Sequence, residues 1–167
     1  MDRDQEITSV DNNDLISQVV VLADEIWREH YTSIIGKPQV DYMLENFQSA
    51  EAIQAQIDEG ASYYLIIHEG QSAGYFSFYT NPDHLFLSKI YVKSSLRGKG
   101  LGRKAVDFIE KEAMRIGTPS ILLTVNKNNQ QTIDTYKKIG FEITRPLIMD
   151  IGGGFVMDDF EMRKKIV

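Results

Sequence analysis

A basic, glycine-rich segment at residues 94–105, SSLRGKGLGRKA, constrains the fold of this chain more than any other feature. The apolar run that precedes it, LFLSKIYV at residues 85–92, is typical of a buried strand. The run that follows it, GRKAVDFIEKEAMRIG, places apolar residues at helical spacing through Ile116. The sequence therefore predicts a strand, a glycine loop and a helix of about four turns in direct succession.

A glycine loop that opens a helix has the chemistry of an anion site. The N–H groups of the first helical turn have no acceptors within the helix, and the helix dipole favours negative charge beside them. Glycine lets an anion approach the backbone closely, and Arg97 can add a charge-assisted hydrogen bond. We therefore expect a nucleotide or a cofactor that carries a pyrophosphate, although a loop that merely turns the chain has the same composition.

Two common phosphate-binding motifs fit the segment poorly. Gly100, Gly102 and Ala105 satisfy the G-x-G-x-x-A fingerprint of dinucleotide-binding folds, which also needs an acidic residue after the second strand. Here the second strand, SILLTV, runs into Asn126, and only about a third of the chain follows the loop, too little for a doubly wound domain. The G-x-x-x-x-G-K-S/T loop of nucleotide triphosphatases does not occur. Of the hypotheses that remain, a nicotinamide-dependent enzyme is therefore the least supported.

The first third of the chain predicts helices. A short strand, EITSV, is followed by capping residues at positions 11–14 and by apolar residues at helical spacing from Leu15 to about His30. Gly36 and Pro38 predict a break within YTSIIGKP, before two shorter helices in residues 39–60.

The remainder predicts a sheet that two helices interrupt. Residues 61–92 have the pattern of three antiparallel strands, and SILLTV should lie parallel to LFLSKIYV because a helix joins them. A short helix closed by Gly140 and a hairpin around the GGG at residues 152–154 complete the chain. We expect a single α+β domain, of mixed α/β type, over residues 1–167.

The amino-acid composition excludes several kinds of catalysis, metal site and partner. The chain has no cysteine, which excludes thiol catalysis, disulfides and thiolate metal sites and suits a cytoplasmic protein. With 18 basic and 24 acidic residues the net charge is −6, so we expect no nucleic-acid partner. The three histidines have no metal-ligand spacing, and no run is long enough for a membrane span, so neither a metal nor a membrane is expected.

Two motifs resemble those of a known family. Residues 97–102, RGKGLG, match a signature of Gln or Arg, any two residues, Gly, any residue, and Gly or Ala. Residues 125–141, VNKNNQQTIDTYKKIGF, resemble a second signature with an Asn, a short helix containing Tyr, and Lys-x-Gly-Phe. Both are similar to motifs of the GNAT superfamily of acetyl-CoA-dependent N-acetyltransferases. FVMDDFEM and IIGKPQVDYMLENF further resemble small bacterial members, polyamine acetyltransferases among them.

The resemblance implies a fold and a cofactor site. The fold would be a twisted, mostly antiparallel mixed sheet of about six to seven strands flanked by helices, with two splayed parallel strands that hold acetyl-CoA. Main-chain groups of Ile90 and Val92 would bind the pantetheine, and an N–H near Ile90 or Tyr91 would polarise the thioester carbonyl. Asn129 would cap the later helix and reach the cofactor. The pyrophosphate would be held by the amides of Arg97, Gly98, Lys99, Gly100, Leu101, Gly102 and Arg103.

The resemblance also implies a role for Tyr136. Acetyl transfer expels coenzyme A as a thiolate, and a phenol with a pKa near 10 keeps its proton at neutral pH and can protonate that sulfur. The alternative is an ordinary core tyrosine, since Ile133, Tyr136 and Ile139 fall on related turns of one helix.

The acceptor and the base are not specified by any motif. The implied reaction is direct transfer to a small amine or a peptide amine within a ternary complex, by an enzyme that forms no acetyl-thioester on itself. A catalytically silent acetyl-CoA sensor on the same fold is the alternative, and a homodimer is possible for either. We assign no base, because each candidate has the pattern of a surface or capping residue: Glu25, Glu29, His30, His84, Asp158 and Asp159.

One further motif is interpreted as a chance match. Residues 70–74, GQSAG, satisfy the G-x-S-x-G elbow of hydrolases, whose serine must lie between a strand and a helix. Here the strand-like run YFSFY follows, so Ser72 is expected beside a hairpin turn.

Overall fold

Seven strands and five helices follow one another in residues 5–166, the part of the chain that this computed structural model describes. The first half contains β1 (Gln5–Ser9), α1 (Asn13–Ile35), α2 (Lys37–Phe47), α3 (Ala50–Asp58), β2 (Ser62–His68), β3 (Gln71–Thr80) and β4 (Leu85–Val92). The second half contains a single 3-10 turn (Ser94–Leu96), α4 (Leu101–Ile116), β5 (Ser120–Asn126), α5 (Gln130–Ile139), β6 (Glu142–Gly152) and β7 (Phe155–Lys165).

The strands form one sheet in the order β1-β2-β3-β4-β5-β7-β6. Every neighbouring pair is antiparallel except β4 and β5, which helix α4 connects in parallel. The predicted α+β class, the single mixed sheet and its mostly antiparallel strands are therefore confirmed.

Helices cover both faces of the sheet and divide the core into two clusters. Leu101, Ala105 and Ile109 of α4, with Ile133 of α5, pack on one face, which we call the α4 face. Residues of α1, α2 and α3 pack on the other face, which we call the α1 face. The amphipathic pattern of each helix accounts for this arrangement, because the buried residues of α4 recur at the predicted helical spacing.

Helix α1 ends later than predicted. The break expected after His30 is wrong, since the helix continues to Ile35 and ends at Gly36, whose φ of 86° is unfavourable for other residues. The Thr32 hydroxyl donates to the Arg28 carbonyl at 2.5 Å, so the polar residues after His30 are accommodated within the helix. At the other end, the Asn12 side chain accepts from the Leu15 N–H at 3.0 Å, which confirms the predicted cap.

The parallel strands separate soon after they meet. Hydrogen-bonded pairing joins Leu85 and Leu87 of β4 to Ile121 and Leu123 of β5 and extends no further along the described strands. On its other edge, β4 stays paired with β3 through Val92, with a bulge at the position between residues 87 and 89. The outer half of β4 therefore faces a gap, which we call the β4–β5 gap.

Helix α2 fixes the hairpin that carries β7. The Tyr42 hydroxyl donates to the Ile151 carbonyl at 2.8 Å, and the Gln39 amide donates to the Val156 carbonyl at 2.9 Å. A Cβ atom on Gly152 would lie 2.3 Å from the Tyr42 hydroxyl, so this turn needs glycine for packing as well as for its backbone. In residues 5–166, no helix combines the length and apolar character that would let it cross a bilayer.

Candidate active site

A cavity of about 480 Å³ fills the β4–β5 gap. Its walls come from the C-terminal half of α1, from the separated halves of β4 and β5, from the start of α4 and from α5 along its length. These elements meet here because the β4–β5 ladder stops, so the sheet itself supplies the floor of the cavity. The predicted residues that line it are Ile90, Tyr91, Val92, Arg97, Gly102, Arg103, Asn129 and Tyr136.

At the start of α4, the backbone N–H groups of the first turn are available to a ligand. Gly100 occupies the N-cap with a left-handed φ of 77°, and no side chain among the described residues caps this helix end. Free N–H groups in a helix's first turn bind anions, and Gly100 supplies the turn without a side chain. The geometry is therefore that of an anion site at one end of the cavity.

Gly102 indicates that the space above these amides suits a ligand. It lies in the first turn of α4, and its φ is not positive, so its backbone conformation does not require glycine. A Cβ atom built there meets no atom within 4 Å, so packing does not require glycine either. Because Gly102 lines the cavity, a side chain larger than the alanine that the signature also admits would enter space that a pyrophosphate bound to the helix terminus can use.

The other loop residues differ in what they can contribute. The Arg97 and Arg103 side chains line the cavity, and the Nε of Arg103 lies 3.2 Å from Asp107. Gly98, Lys99 and Gly100 are exposed and do not line it. The Leu101 side chain is buried in the core of the α4 face, so only its backbone could meet a ligand.

Strand β4 presents its outer half to the cavity. Ile90 and Val92 pack against the α4 face and Tyr91 against the α1 face, as alternation along a strand requires. Strand β4 pairs with β5 only as far as Leu87. Beyond Leu87, this edge of β4 has no strand beside it. Main-chain groups of residues 90–92 are thus placed beside the gap.

Tyr136 lies at the boundary between core and cavity. Its ring packs against Phe141 with centroids 5.4 Å apart, and it is part-buried against the core of the α4 face. Burial raises the pKa of the Tyr136 phenol well above its usual value, and the nearby Tyr31 raises it further. The two interpretations of this tyrosine are compatible, because it packs as a core residue and also lines the cavity.

Asn129 does not cap α5 with its side chain. It occupies the N-cap position, but its amide lies 2.8 Å from Nε2 of His30, across the cavity from α1. The prediction of a side-chain cap is therefore wrong, since a longer-range partner engages the amide. The pKa of His30 is lowered by burial and by Arg97, which favours the neutral ring that accepts from the Asn129 amide.

The α1 face of the gap carries a cluster of aromatic hydroxyls that the sequence did not reveal. Tyr31 and Tyr91 share a hydrogen bond of 2.9 Å, and Trp27 packs against both rings. Tyr31 and Tyr91 line the cavity, whereas Trp27 is buried in the core of the α1 face. Only the contact between α1 and β4 brings them together, so no local motif could have indicated the cluster.

Asp159 is not a surface residue. It is 1% exposed on β7, and its Oδ1 has no hydrogen-bond partner among the described residues. Burial raises the pKa of Asp159 to about 6, Asp158 adds to the rise, and Thr124 and Lys127 oppose it. The expectation of a solvated carboxylate is wrong because pairing with β5 places Asp159 opposite Asn126, inside the sheet.

Lys89 is a part-buried charge that the sequence did not indicate. Its Nζ donates to the Ser88 hydroxyl at 3.0 Å and to the Gln56 side-chain oxygen at 3.4 Å, and it lies 5.8 Å from the centre of the Tyr63 ring. Burial lowers the pKa of Lys89 to about 8. Lys89 lines the cavity, and no ion pair joins it to a carboxylate of residues 5–166.

The other candidate acids lie elsewhere. Glu25 and Glu29 are exposed on α1, and Asp158 is exposed and pairs with Lys127 at 2.8 Å. His84 lies 3.2 Å from the Asn81 amide in the turn before β4. His30 is the exception, because it lines the cavity.

The chance match at Ser72 is confirmed as a hairpin. Ser72 follows the turn between β2 and β3 and hydrogen-bonds Gln18 of α1. Within the described residues, His, Cys, Asp and Glu form no cluster of three or more that could hold a metal.

Comparison with curated proteins finds relatives over less than half of this chain. A thialysine N-epsilon-acetyltransferase of Bos taurus is 33% identical over 72 residues, which are 42% of this chain and 42% of that protein. An L-2,4-diaminobutyric acid acetyltransferase of Vibrio parahaemolyticus is 33% identical over 79 residues, 45% of this chain and 43% of that protein. The chain thus matches under half the length of these relatives.

The fold and the family follow from the remaining comparisons. A crystal structure of a PaiA N-acetyltransferase from Thermoplasma acidophilum in complex with coenzyme A has a TM-score of 0.80, at 20% identity. The likeness covers 96% of this chain and 98% of that one, so the whole sheet and its helices share this arrangement. The profile of the Acetyltransferase (GNAT) family matches residues 21–141, and this chain therefore belongs to the GNAT acetyltransferase family.

Proposed function

We propose that this chain is an N-acetyltransferase that transfers an acetyl group from acetyl-CoA directly to a primary amine. The observation that carries the proposal is Gly102, which the fold does not require and which keeps the first turn of α4 open to a pyrophosphate. Membership of the GNAT family and the coenzyme A complex of the PaiA protein support the choice of cofactor.

The cofactor would be held from its pyrophosphate to its thiol end. Amides of residues 97–103 would bind the pyrophosphate, with the Arg97 and Arg103 side chains adding charge-assisted hydrogen bonds. Main-chain groups of Ile90 and Val92 would hydrogen-bond the pantetheine, because this edge of β4 has lost its partner strand. Asn129, which bonds His30 across the cavity, would meet the cofactor from the opposite wall.

Two groups would act on the reacting atoms. An N–H of Ile90 or Tyr91 would donate to the thioester oxygen as negative charge develops there, a contribution of about 3 kcal/mol for a well-placed donor. The Tyr136 phenol would protonate the departing sulfur, and its raised pKa keeps the proton on the phenol until the thiolate forms. Acetyl-CoA would supply the activated acetyl group when bound.

The acceptor would attack without an intermediate on the protein. The chain has no cysteine, and the cavity is lined by both the cofactor loop and the α1 face, so both substrates could meet in one space. The relatives from Bos taurus and Vibrio parahaemolyticus are named for thialysine and L-2,4-diaminobutyric acid, which supports a small amine as acceptor, although a peptide amine has the same reacting group.

Calorimetry and a thiol-release assay test the proposal together. Coenzyme A should bind the folded protein, and acetyl-CoA should release thiol only when an accepted amine is present. Binding without turnover for a broad amine panel would favour the sensor alternative. A folded protein that gives no heat with coenzyme A would refute the cofactor assignment.

A further inference from the structure

Two charges of opposite sign, the part-buried Lys89 and the buried Asp159, lie on the α1 face of the β4–β5 gap. Lys89 belongs to β4, on the side of α3, where it contacts Gln56. Asp159 belongs to β7, on the side of β5, where Thr124 lies next to it. Neither forms an ion pair with the other or with any other described residue, so neither charge has a protein counter-ion.

No anionic group among the described residues balances the charge of Lys89. Its hydrogen-bond acceptors, the Ser88 hydroxyl and the Gln56 amide oxygen, are both neutral. A buried ammonium without a counter-ion destabilises a fold, and an apolar side chain of the same length would avoid that cost. Because Lys89 lines the cavity, an anionic group of a bound molecule could provide the missing counter-ion.

Asp159 likewise has no counter-ion, but its charge is negative. Lys127, the basic residue close to it, pairs with Asp158 at 2.8 Å and leaves Oδ1 of Asp159 without a hydrogen-bond donor. Asp159 does not itself line the cavity, but Tyr31, whose pKa the Asp159 carboxylate raises, and Thr124, whose side chain lies next to it, both do. A cationic group in this part of the cavity would lie in the field of an uncompensated carboxylate.

We infer that the acceptor is an amino acid or a similar amine with a free carboxylate, whose carboxylate pairs with Lys89 while its amine lies toward Asp159. The inference rests on the proposed acetyl transfer and names its substrate class. A diamine would instead place a second cation beside Lys89, where like charges repel. The charges of the α1 face thus argue against the polyamine acceptors that FVMDDFEM and IIGKPQVDYMLENF had suggested.

Matched pairs of acceptors test this inference. Thiol release from saturating acetyl-CoA is compared for L-lysine and cadaverine, L-ornithine and putrescine, and 2,4-diaminobutyrate and 1,3-diaminopropane, which differ only in the carboxylate. L-Lysinamide keeps the carbonyl but removes the charge. We expect kcat/KM to favour the amino acid of at least one pair by about 30-fold, as expected when one partner of a buried charge pair is absent, and lysinamide to behave as cadaverine does.

Substitution of Lys89 ties the preference to this residue. Lys89→Met should lower the ratio of amino-acid to diamine kcat/KM by about 30-fold, mainly through KM, and Lys89→Glu should reverse the preference. Lys93→Met is the matched control, because Lys93 follows β4, pairs with Glu25 and does not line this cavity. Thermal unfolding of each variant shows whether the fold is retained.

The outcomes separate the inference from the proposed function. Diamines accepted as well as amino acids, or equal losses for both classes in Lys89→Met, would overturn the inference and leave acetyl transfer intact. Turnover with none of these amines despite coenzyme A binding would remove the acetyl transfer on which the inference rests, and the inference with it.

Discussion

The two faces of the β4–β5 gap hold their polar groups in different ways. The α4 face offers backbone amides and exposed arginines from one continuous segment, residues 97–103. The α1 face offers side chains from several elements, among them the part-buried Tyr31 of α1 and Lys89 of β4 and the buried Asp159 of β7. The first arrangement suits a cofactor group recognised through the main chain, and the second suits an acceptor recognised through its charges.

This difference indicates which half of such a site can change its binding specificity through single substitutions. A helix terminus binds a pyrophosphate whatever side chains surround it, provided that glycine keeps the amides accessible. Charges such as Lys89 and Asp159 are each one substitution away from another chemistry. We therefore expect substitutions on the α4 face to change cofactor binding and those on the α1 face to change acceptor choice.

Loss of the Tyr136 hydroxyl should have the largest effect on rate. We expect Tyr136→Phe to lower kcat by about a hundredfold or more, as is typical when a general acid is removed, and to leave the affinity for coenzyme A close to normal. Rapid-mix measurements of the chemical step would check this. Tyr64→Phe is the control, because Tyr64 is also part-buried but stacks on Phe76 away from the cavity. Equal rates for Tyr136→Phe and the unmodified enzyme would eliminate the acid role.

Asp159→Asn should stabilise the protein at neutral pH. The folded-state pKa of Asp159 is raised from 3.8 to about 6, so the folded state holds its proton more tightly, and wild-type stability falls as pH rises from about 4 to about 6. The variant lacks this titration. Its advantage in unfolding free energy should therefore grow by about 3 kcal/mol across that window and stay constant above it.

Chemical denaturation at a series of pH values measures this difference. Asp158→Asn is a matched control, because Asp158 is exposed and pairs with Lys127, so its removal should cost about 1 kcal/mol or less at neutral pH. An Asp159→Asn profile parallel to the wild-type profile would mean that the Asp159 carboxylate is not buried as a charge. Such a result would weaken the contrast between the two faces.

Arg97→Gln should have a smaller effect, confined to the cofactor. Arg97 is exposed, so we expect the Kd for coenzyme A to rise by about tenfold, in line with the loss of one charge-assisted hydrogen bond. The preference among acceptors should not change. Titration calorimetry gives the affinity, and Arg163→Gln, which alters an exposed arginine of β7, is the control.

The cofactor half of the site could be predicted from the sequence because it is local. One stretch of chain forms the β4 strand, the loop at residues 97–102 and the start of α4, and each element has its own pattern. The second motif placed Tyr136 on a short helix in the same way. Where a residue's role depended on a distant partner, as for the Asn129 amide and His30, the prediction failed.

The acceptor half could not be predicted because it depends on register. Asp159 is buried because β7 pairs with β5 in one register, whereas a shift by one residue would bury the exposed Asp158 instead. Lys89 becomes part-buried because α3 brings Gln56 beside β4. Neither residue differs in its local sequence from an ordinary surface charge, so the information lies in contacts between remote elements.

Gly102→Gln tests the central claim most directly, because it separates the needs of the fold from those of the ligand, with a side chain larger than the alanine that the signature also admits. Glutamine suits a helical turn better than glycine, and its Cβ meets no neighbour here, so the unfolding free energy should stay equal or rise by up to about 1 kcal/mol. Calorimetry with coenzyme A should at the same time show an affinity lowered by about tenfold or more, since the long side chain enters the space above the first amides of α4. Unchanged affinity for coenzyme A in this stably folded variant would contradict the account.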